Sequence, residues 1–372
     1  MRILHLIDKS FLGGGQTAVR NLIEGAVGSG LEPTLEPILA CRGGGPLVEK
    51  VRALGAKVHP VPFDKRFRPG PARAIAELVR SERVDLLHGH GLVATTYATL
   101  ARSFFGVRAP LVYQQHGFHH HNYRFYSVGL RRAAERAVCQ RADSIVAVSR
   151  VDADLLVKER YAPADRVEVI YYGIPEPSSP PEAVDQARRE LDLDPSRPVV
   201  GLVGRLHPQK GVDVFLRAAA RVRAAVPRCQ FVVVGTGEIE RELKLLATSL
   251  DLDGDLRWAG GRPSAPYLPL FDVAVLTSRW EGLPLVLLEH MAAGRAIVTT
   301  SLGGCLEAVG QGTAELVPVD APAETAEAIV RLLRSPERAG ALGGRARARY
   351  LDQFTLPVMT RRFAALYQEL LA

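Results

Sequence analysis

Two carboxylates separated by seven residues stand in Glu281-Gly-Leu-Pro-Leu-Val-Leu-Leu-Glu289. Pro284 suits the first turn of a helix, where its missing N–H costs nothing. Glu281 then falls in the loop before that helix and Glu289 one to two turns inside it. A carboxylate accepts two hydrogen bonds, so each can grip vicinal hydroxyls of a sugar or a ribose. The same positions also suit plainer roles, with Glu281 favouring the helix's positive end and Glu289 on a helix face. The apolar run Leu285–Leu288 predicts a buried start to the helix, so a carboxylate following it needs a partner.

Gly204-Arg-Leu-His-Pro-Gln-Lys-Gly211 places Arg205 and Lys210 between an apolar run and a helical stretch beginning at Val212. Two cations beside a helix N-terminus suit a diphosphate, which needs charge neutralisation and directional donors. Gly13-Gly-Gly15, after the first apolar run, fits either a tight turn or a backbone contact to phosphate. It is neither a dinucleotide fingerprint nor a P-loop. Gly235-Thr-Gly237 and Gly303-Gly304 are further glycine turns at strand ends. His116 ends an apolar strand, and His88 and His90 end another. His119, His120 and His121 are adjacent, and neighbours on a loop converge poorly on one ion, so no metal site is expected. Nucleophile-elbow, zincin and cysteine-nucleophile patterns are absent.

Elements must hold these groups in place. Apolar runs at Arg2–Ile7, 34–39, 57–61, 84–87, 111–115, 144–148 and 167–171 predict strands in the first half. Val199–Val203, Gln230–Val234, 256–259, Val273–Leu276, 296–299 and Glu315–Val317 predict them in the second. Continuously apolar strands suit parallel sheets covered on both faces. Helical stretches such as 16–28, 71–81, 130–141, 212–226 and 284–293 lie between them, which argues for doubly wound α/β sheets. Ile174-Pro-Glu-Pro-Ser-Ser-Pro-Pro181 breaks the chain into two. We therefore expect two Rossmann-like domains, 1–175 and 176–354. Met359, Phe363, Leu366 and Leu370 give one apolar helix face, and helix 355–372 is expected to complete the first domain. Ligands of such sheets bind at the carboxyl ends of strands, where the candidate loops lie.

Composition limits the alternatives. The chain has 372 residues, 47 Lys/Arg against 40 Asp/Glu, and 47% apolar residues. That is a globular composition, not a disordered one. No signal peptide or membrane span is expected, and four scattered cysteines suit a cytoplasmic protein. Residues 1–180 hold 24 Lys/Arg and 17 Asp/Glu, whereas residues 181–372 hold 23 of each. The excess concentrates in residues 65–150, with 14 Lys/Arg and 5 Asp/Glu, including Arg66, Arg68, Arg73, Arg80, Arg83, Arg131, Arg132, Arg136 and Arg141. An anionic membrane surface or a lipid-linked diphosphate is the expected partner there. No zinc, ribonucleoprotein or basic-tail pattern points to nucleic acid.

Taken together, Gly204-Arg205-Leu206 with Lys210-Gly211, Gly235-x-Gly237, Ser278 before Trp280-Glu281-Gly282, the Glu281–Glu289 pair and Leu288-Glu-His-Met-Ala-Ala-Gly294 resemble the retaining GT-B-fold glycosyltransferases of the large family four. Gly13–Gly15, His116-Gly117 and Ala147-Val-Ser149 extend the resemblance over essentially the whole chain. It implies a GT-B fold, two Rossmann-like domains across a cleft, with acceptor on the first and nucleotide-diphosphate sugar on the second. It implies catalytic roles for His116, Arg205, Lys210 and Glu281, with Arg205 and Lys210 on the donor diphosphate, Glu281 on the donor sugar and Glu289 on the ribose. Gly14, Gly15, Gly204, Gly235, Gly237, Gly282, Leu283, Gly303 and Gly304 match its donor-binding positions. The implied reaction needs no metal or resident cofactor, retains the anomeric configuration and takes a saccharide or lipid-linked acceptor in polysaccharide or glycoconjugate synthesis. The nucleotide, UDP or GDP, stays open. An epimerase of the same fold, or a non-catalytic nucleotide-sugar binder, is the alternative. Ala296 replaces a usual proline, and Gly303-Gly-Cys-Leu306-Glu lacks another. The proline-rich segment 262–269 is expected to lose or displace a short helix.

Overall fold

The structure is a computed structural model and describes every residue except Leu12, residues 65–67 and residues 118–124. Arg66, His119, His120 and His121 thus lie outside the described residues. The chain divides into two compact units. Unit 1 comprises Met1–Pro175 and Gln353–Ala372, and unit 2 comprises Glu176–Asp352.

Unit 1 alternates β1 (Arg2–Ile7), α1 (Gly14–Val27), β2 (Glu36–Cys41), α2 (Pro46–Ala53), β3 (Lys57–Pro60), α3 (Pro69–Ser81), β4 (Leu86–His90), α4 (Leu92–Phe104), β5 (Leu111–Gln114), α5 (Phe125–Arg141), β6 (Ser144–Ala147), α6 (Arg150–Lys158) and β7 (Val167–Val169). The strands form one parallel sheet in the order β3-β2-β1-β4-β5-β6-β7. Unit 2 follows with α7 (Pro181–Glu190), β8 (Val199–Val203), α8 (Val212–Ala225), β9 (Gln230–Val234), α9 (Glu240–Ser249), β10 (Leu256–Gly260), β11 (Val273–Leu276), α10 (Leu285–Ala292), β12 (Ala296–Thr300), α11 (Gly303–Val309), β13 (Glu315–Val317), α12 (Pro322–Arg334) and α13 (Pro336–Gln353). Its parallel sheet runs β10-β9-β8-β11-β12-β13. Each sheet reverses its strand order once, between β1 and β4 in unit 1 and between β8 and β11 in unit 2. Open α/β sheets bind ligands at such a switch point.

The last helix, α14 (Leu356–Leu371), returns to unit 1. It buries Met359, Phe363, Leu366 and Tyr367 in a cluster with Ile3, Leu86, Val112 and Val146 from four strands. The 4-3-4 spacing is thus a true core-facing stripe.

Several boundaries differ from the expectation. The second and fourth strands slide toward the C-terminus, to Glu36–Cys41 and Leu86–His90. Pairing to β1 sets this register, with Ile3 opposite Leu86 and Ile7 opposite His90. His88 therefore lies inside this strand and His90 ends it, and both are fully buried. α1 starts at Gly14, two residues before Gln16. Pro284 is extended at φ −75° and ψ 114° and precedes α10. Only Leu287 and Leu288 of the Leu285–Leu288 run are buried. The proline-rich segment keeps a 3-10 turn at Leu268–Leu270.

Candidate functional site

Unit 2 builds its site where β8 and β11 end side by side. The segment after β8 carries Arg205 and Lys210, and the one after β11 carries Glu281. Backbone and side-chain bonds join the two. Gln209 O accepts Arg279 N–H at 2.7 Å, and Gln209 Nε2 donates to Trp280 O at 2.9 Å. Arg279 also holds Asp213 at 2.9 Å and Asp320 at 2.7 Å, which anchors the chain just before Glu281. The result is a short ion pair, with Lys210 Nζ 2.5 Å from Glu281 Oε1. Ser278 Oγ donates to the same oxygen at 2.7 Å. Lys210 is 15% exposed and Glu281 7%, so both charges are largely desolvated and hold each other. Arg205 is exposed, and its Nη2 reaches Gln209 Oε1 at 3.4 Å.

Two cations and one carboxylate thus share this switch point. Arg205 is available to an anion as it stands. Lys210 must be shared between its carboxylate and any phosphate. Glu281 Oε1 accepts from both Lys210 and Ser278.

The neighbouring glycines set how closely the loops meet. A Cβ on Gly235 would lie 1.9 Å from Gly204 O, and one on Gly304 would lie 1.4 Å from Gly282 O. These glycines admit another stretch of backbone, which layers the loops after β8, β9, β11 and β12 into one surface. Gly237 packs in the same way on Leu206 O, at 2.1 Å. Leu283 is buried beneath. Gly303 opens α11. Cys305 on α11 is buried, and burial pushes its thiol up to about 12.

Glu289 occupies the fifth position of α10, and its Oε2 accepts a bond from Ser264 Oγ at 2.8 Å. Burial holds its pKa above the ordinary carboxylate value, and the Ser264 bond pulls the other way. This is the partner that the apolar run requires. Ser264 sits in the proline-rich segment, where its composition alone gives no sign of this contact.

Unit 1 places His116 two residues beyond β5. Its Nδ1 lies 2.7 Å from the Tyr172 hydroxyl, and its ring stacks on His90 at 5.4 Å. The first turn of α1 abuts it, since a Cβ on Gly15 would lie 3.3 Å from His116 Cδ2. Among the described residues nothing lies within 4 Å of the same position on Gly14. Burial lowers the His116 pKa to about 4, so the ring is neutral at pH 7. In the tautomer that carries its proton on Nε2, the neutral ring accepts the Tyr172 O–H at Nδ1. Nε2 is buried and has no partner among the described residues. Sequence reasoning missed Tyr172, Gln209 and Ser264, because each acts on a residue distant in the chain.

The chain matches known proteins along most of its length. The description "Glycosyltransferase Family 4" fits residues 12–176, and "Glycosyl transferases group 1" fits residues 197–335. A D-inositol 3-phosphate glycosyltransferase of Thermobispora bispora is 30% identical over 308 residues, 78% of this chain and 71% of that protein. The UDP-Gal:alpha-D-GlcNAc-diphosphoundecaprenol alpha-1,3-galactosyltransferase of Escherichia coli is 29% identical over 62% of this chain and 61% of its own. The crystal structure of Anabaena HepE in complex with UDP-glucose superposes with a TM-score of 0.84 at 20% identity, covering 99% of this chain and 100% of that one. The two parallel sheets and this likeness give the GT-B fold. With a 30% identical relative matched over more than two thirds of both chains, the protein belongs to the glycosyl transferases group 1 family and is a glycosyltransferase.

Proposed function

We propose that the protein moves a sugar, with retention, from a nucleotide-diphosphate sugar held by unit 2 to a saccharide or lipid-linked acceptor taken up by unit 1. The observation that carries this reading is the Lys210–Glu281 pair at the β8/β11 switch point, with Arg205 beside it. Arg205 and Lys210 hold the diphosphate, Glu281 the donor sugar's hydroxyls and Glu289 the ribose. The bond from the anomeric carbon to the phosphate oxygen breaks as the acceptor oxygen bonds to that carbon from the same face. The acceptor's proton passes to the leaving phosphate oxygen, and a nucleoside diphosphate departs. Negative charge grows on that phosphate, and fixed cations stabilise it more in the transition state than in the ground state. Side chains supply this charge, so the transfer needs no metal. His116, neutral and donating from Nε2, contacts the sugar near the reacting centre.

The E. coli relative's name carries a diphosphoundecaprenol acceptor, and HepE was solved with UDP-glucose. Both support a uridine donor and a lipid-linked acceptor for cell-surface polysaccharide or glycoconjugate synthesis. The basic stretch in residues 65–150 supports an attachment at the cytoplasmic membrane surface. Phe104 is 74% exposed between Arg102 and Arg108, and Leu130 is 79% exposed before Arg131 and Arg132. No helix among the described residues is long and apolar enough to cross a membrane.

Thermal unfolding with UDP, GDP, ADP and their sugars tests the donor class. A ligand at a hundred times its Kd adds about 2.7 kcal/mol, so selective stabilisation by uridine compounds is expected. No response to any nucleotide overturns the reading. NMR of the product's anomeric proton tests retention.

A further inference from the structure

Beneath His116, unit 1 carries a second cluster that the transfer does not use. His5 on β1 pairs in register with His88 on β4, and His90 follows two residues later on the same face. The rings are close, with centroids 5.2 Å apart for His5 and His88, 5.4 Å for His5 and His90, and 4.0 Å for His88 and His90. All three are at most 1% exposed. Each offers one nitrogen, and the three nitrogens lie within 4.8 Å of one another.

Their hydrogen bonding is incomplete. His5 Nδ1 meets His90 Nε2 at 3.1 Å, and the Tyr367 hydroxyl meets His88 Nδ1 at 2.7 Å. His88 Nε2 is buried without a partner among the described residues, and His90 Nδ1 closes no hydrogen bond there although the Gln114 side chain acts on His90. Buried polar nitrogens are costly when unpaired. An imidazole held at one nitrogen by an outer partner, with the other nitrogen bare, is the usual arrangement of a metal ligand. Tyr367 on α14 supplies that outer contact.

We propose that His5, His88 and His90 bind one divalent ion of the zinc class within the core of unit 1. Three imidazoles with no carboxylate or thiolate among them suit Zn²⁺, Co²⁺, Ni²⁺ or Cu²⁺ and reject Mg²⁺ and Ca²⁺. The ion ties β1 to β4 and, through Tyr367, to α14. It fixes the His90 ring on which His116 stacks. It takes no part in the transfer and does not rest on the donor reading.

The test strips the full-length chain with a chelator, adds Zn²⁺ or Co²⁺, and removes excess ion by desalting. One ion retained per chain is expected, with visible Co²⁺ absorption and a higher Tm that Mg²⁺ does not give. His88→Gln and His90→Gln abolish retention and the absorption. Tyr367→Phe keeps all three ligands and weakens binding roughly tenfold or more. Replacing His119, His120 and His121 together by alanine leaves retention intact. A folded wild-type chain that retains no ion overturns the proposal, as does retention that survives both histidine variants or is lost in the 119–121 variant. The wild-type measurement alone decides if a variant fails to fold. Metal content is read independently of sugar transfer, so failure here leaves the donor reading standing, and the reverse holds.

Discussion

Lys210 is already paired with Glu281. Its neighbour Glu281 is the less exposed of the two, so truncating the lysine strands a nearly buried charge. Lys210→Ala is expected to lower kcat roughly 10²–10³-fold, the loss typical of one preorganised charge-stabilising donor, and to lower Tm as well. Lys210→Met combined with Glu281→Gln removes both charges, so Tm recovers while kcat stays low. Measuring kcat and Tm on the three proteins separates the two effects, and recovery of activity in the double variant would sink the assigned roles. Glu289 allows a second test. Its raised pKa means that the folded state favours the protonated acid, so the ionised form at pH 7 costs stability. That cost is absent below the unfolded carboxylate pKa and grows as pH rises toward the folded one. Glu289→Gln should therefore raise the apo Tm at pH 7, with the gain vanishing in acid, while donor affinity falls. Ser264→Ala removes the bond that opposes the burial effect. The acid limb of donor binding, followed by calorimetry against pH, should then move to higher pH. An unmoved limb would separate Ser264 from ribose binding.

At the scale of elements, α14 shows how a distant piece completes a sheet. Phe363 is fully buried between β-strand residues and the rest of α14, whereas Leu370, on the same stripe, is only partly buried. Phe363→Ala should cost roughly 3–5 kcal/mol and Leu370→Ala much less, read as the shift in urea midpoint. Equal costs would mean that the stripe is not the contact surface. This helix was legible from spacing alone, as were strands such as Val199–Val203 and Val273–Leu276, because continuous apolar runs need no partner to be recognised. The edges of β2 and β4 were not legible. Their ends follow pairing to β1, a tertiary constraint that carried His88 and His90 into the sheet. The start of α10 slipped for a related reason, since Pro284 fits either side of a helix N-terminus and packing decides. In the candidate site, the carboxylates, the cations and His116 were visible by type and position. The partners that orient them, Ser264, Gln209 and Tyr172, come from other segments and carry no local pattern.

At the scale of the molecule, charge divides along the two units. Unit 1 holds 26 Lys/Arg and 17 Asp/Glu, and unit 2 holds 21 and 23. Unit 2 is also continuous in sequence, with its own core running from Val200 to Leu342. Unit 1 needs both ends of the chain. A fragment of residues 176–352 should therefore fold and bind the donor nucleotide without unit 1, whereas residues 1–175 alone should not fold, because the α14 stripe is missing. The same fragment tests whether unit 1 carries the proposed membrane attraction. A basic residue near an anionic surface contributes about 1 kcal/mol, and the effect falls off within a Debye length. The full chain should co-sediment with phosphatidylglycerol vesicles at low salt and release as salt rises, and the 176–352 fragment should stay in solution throughout. Reversing Arg80, Arg83, Arg108 and Arg132 to glutamate should release the full chain at low salt without changing nucleotide affinity. Salt-independent binding would place the attraction in Phe104 and Leu130 instead, and vesicle binding by the fragment would remove it from unit 1 altogether.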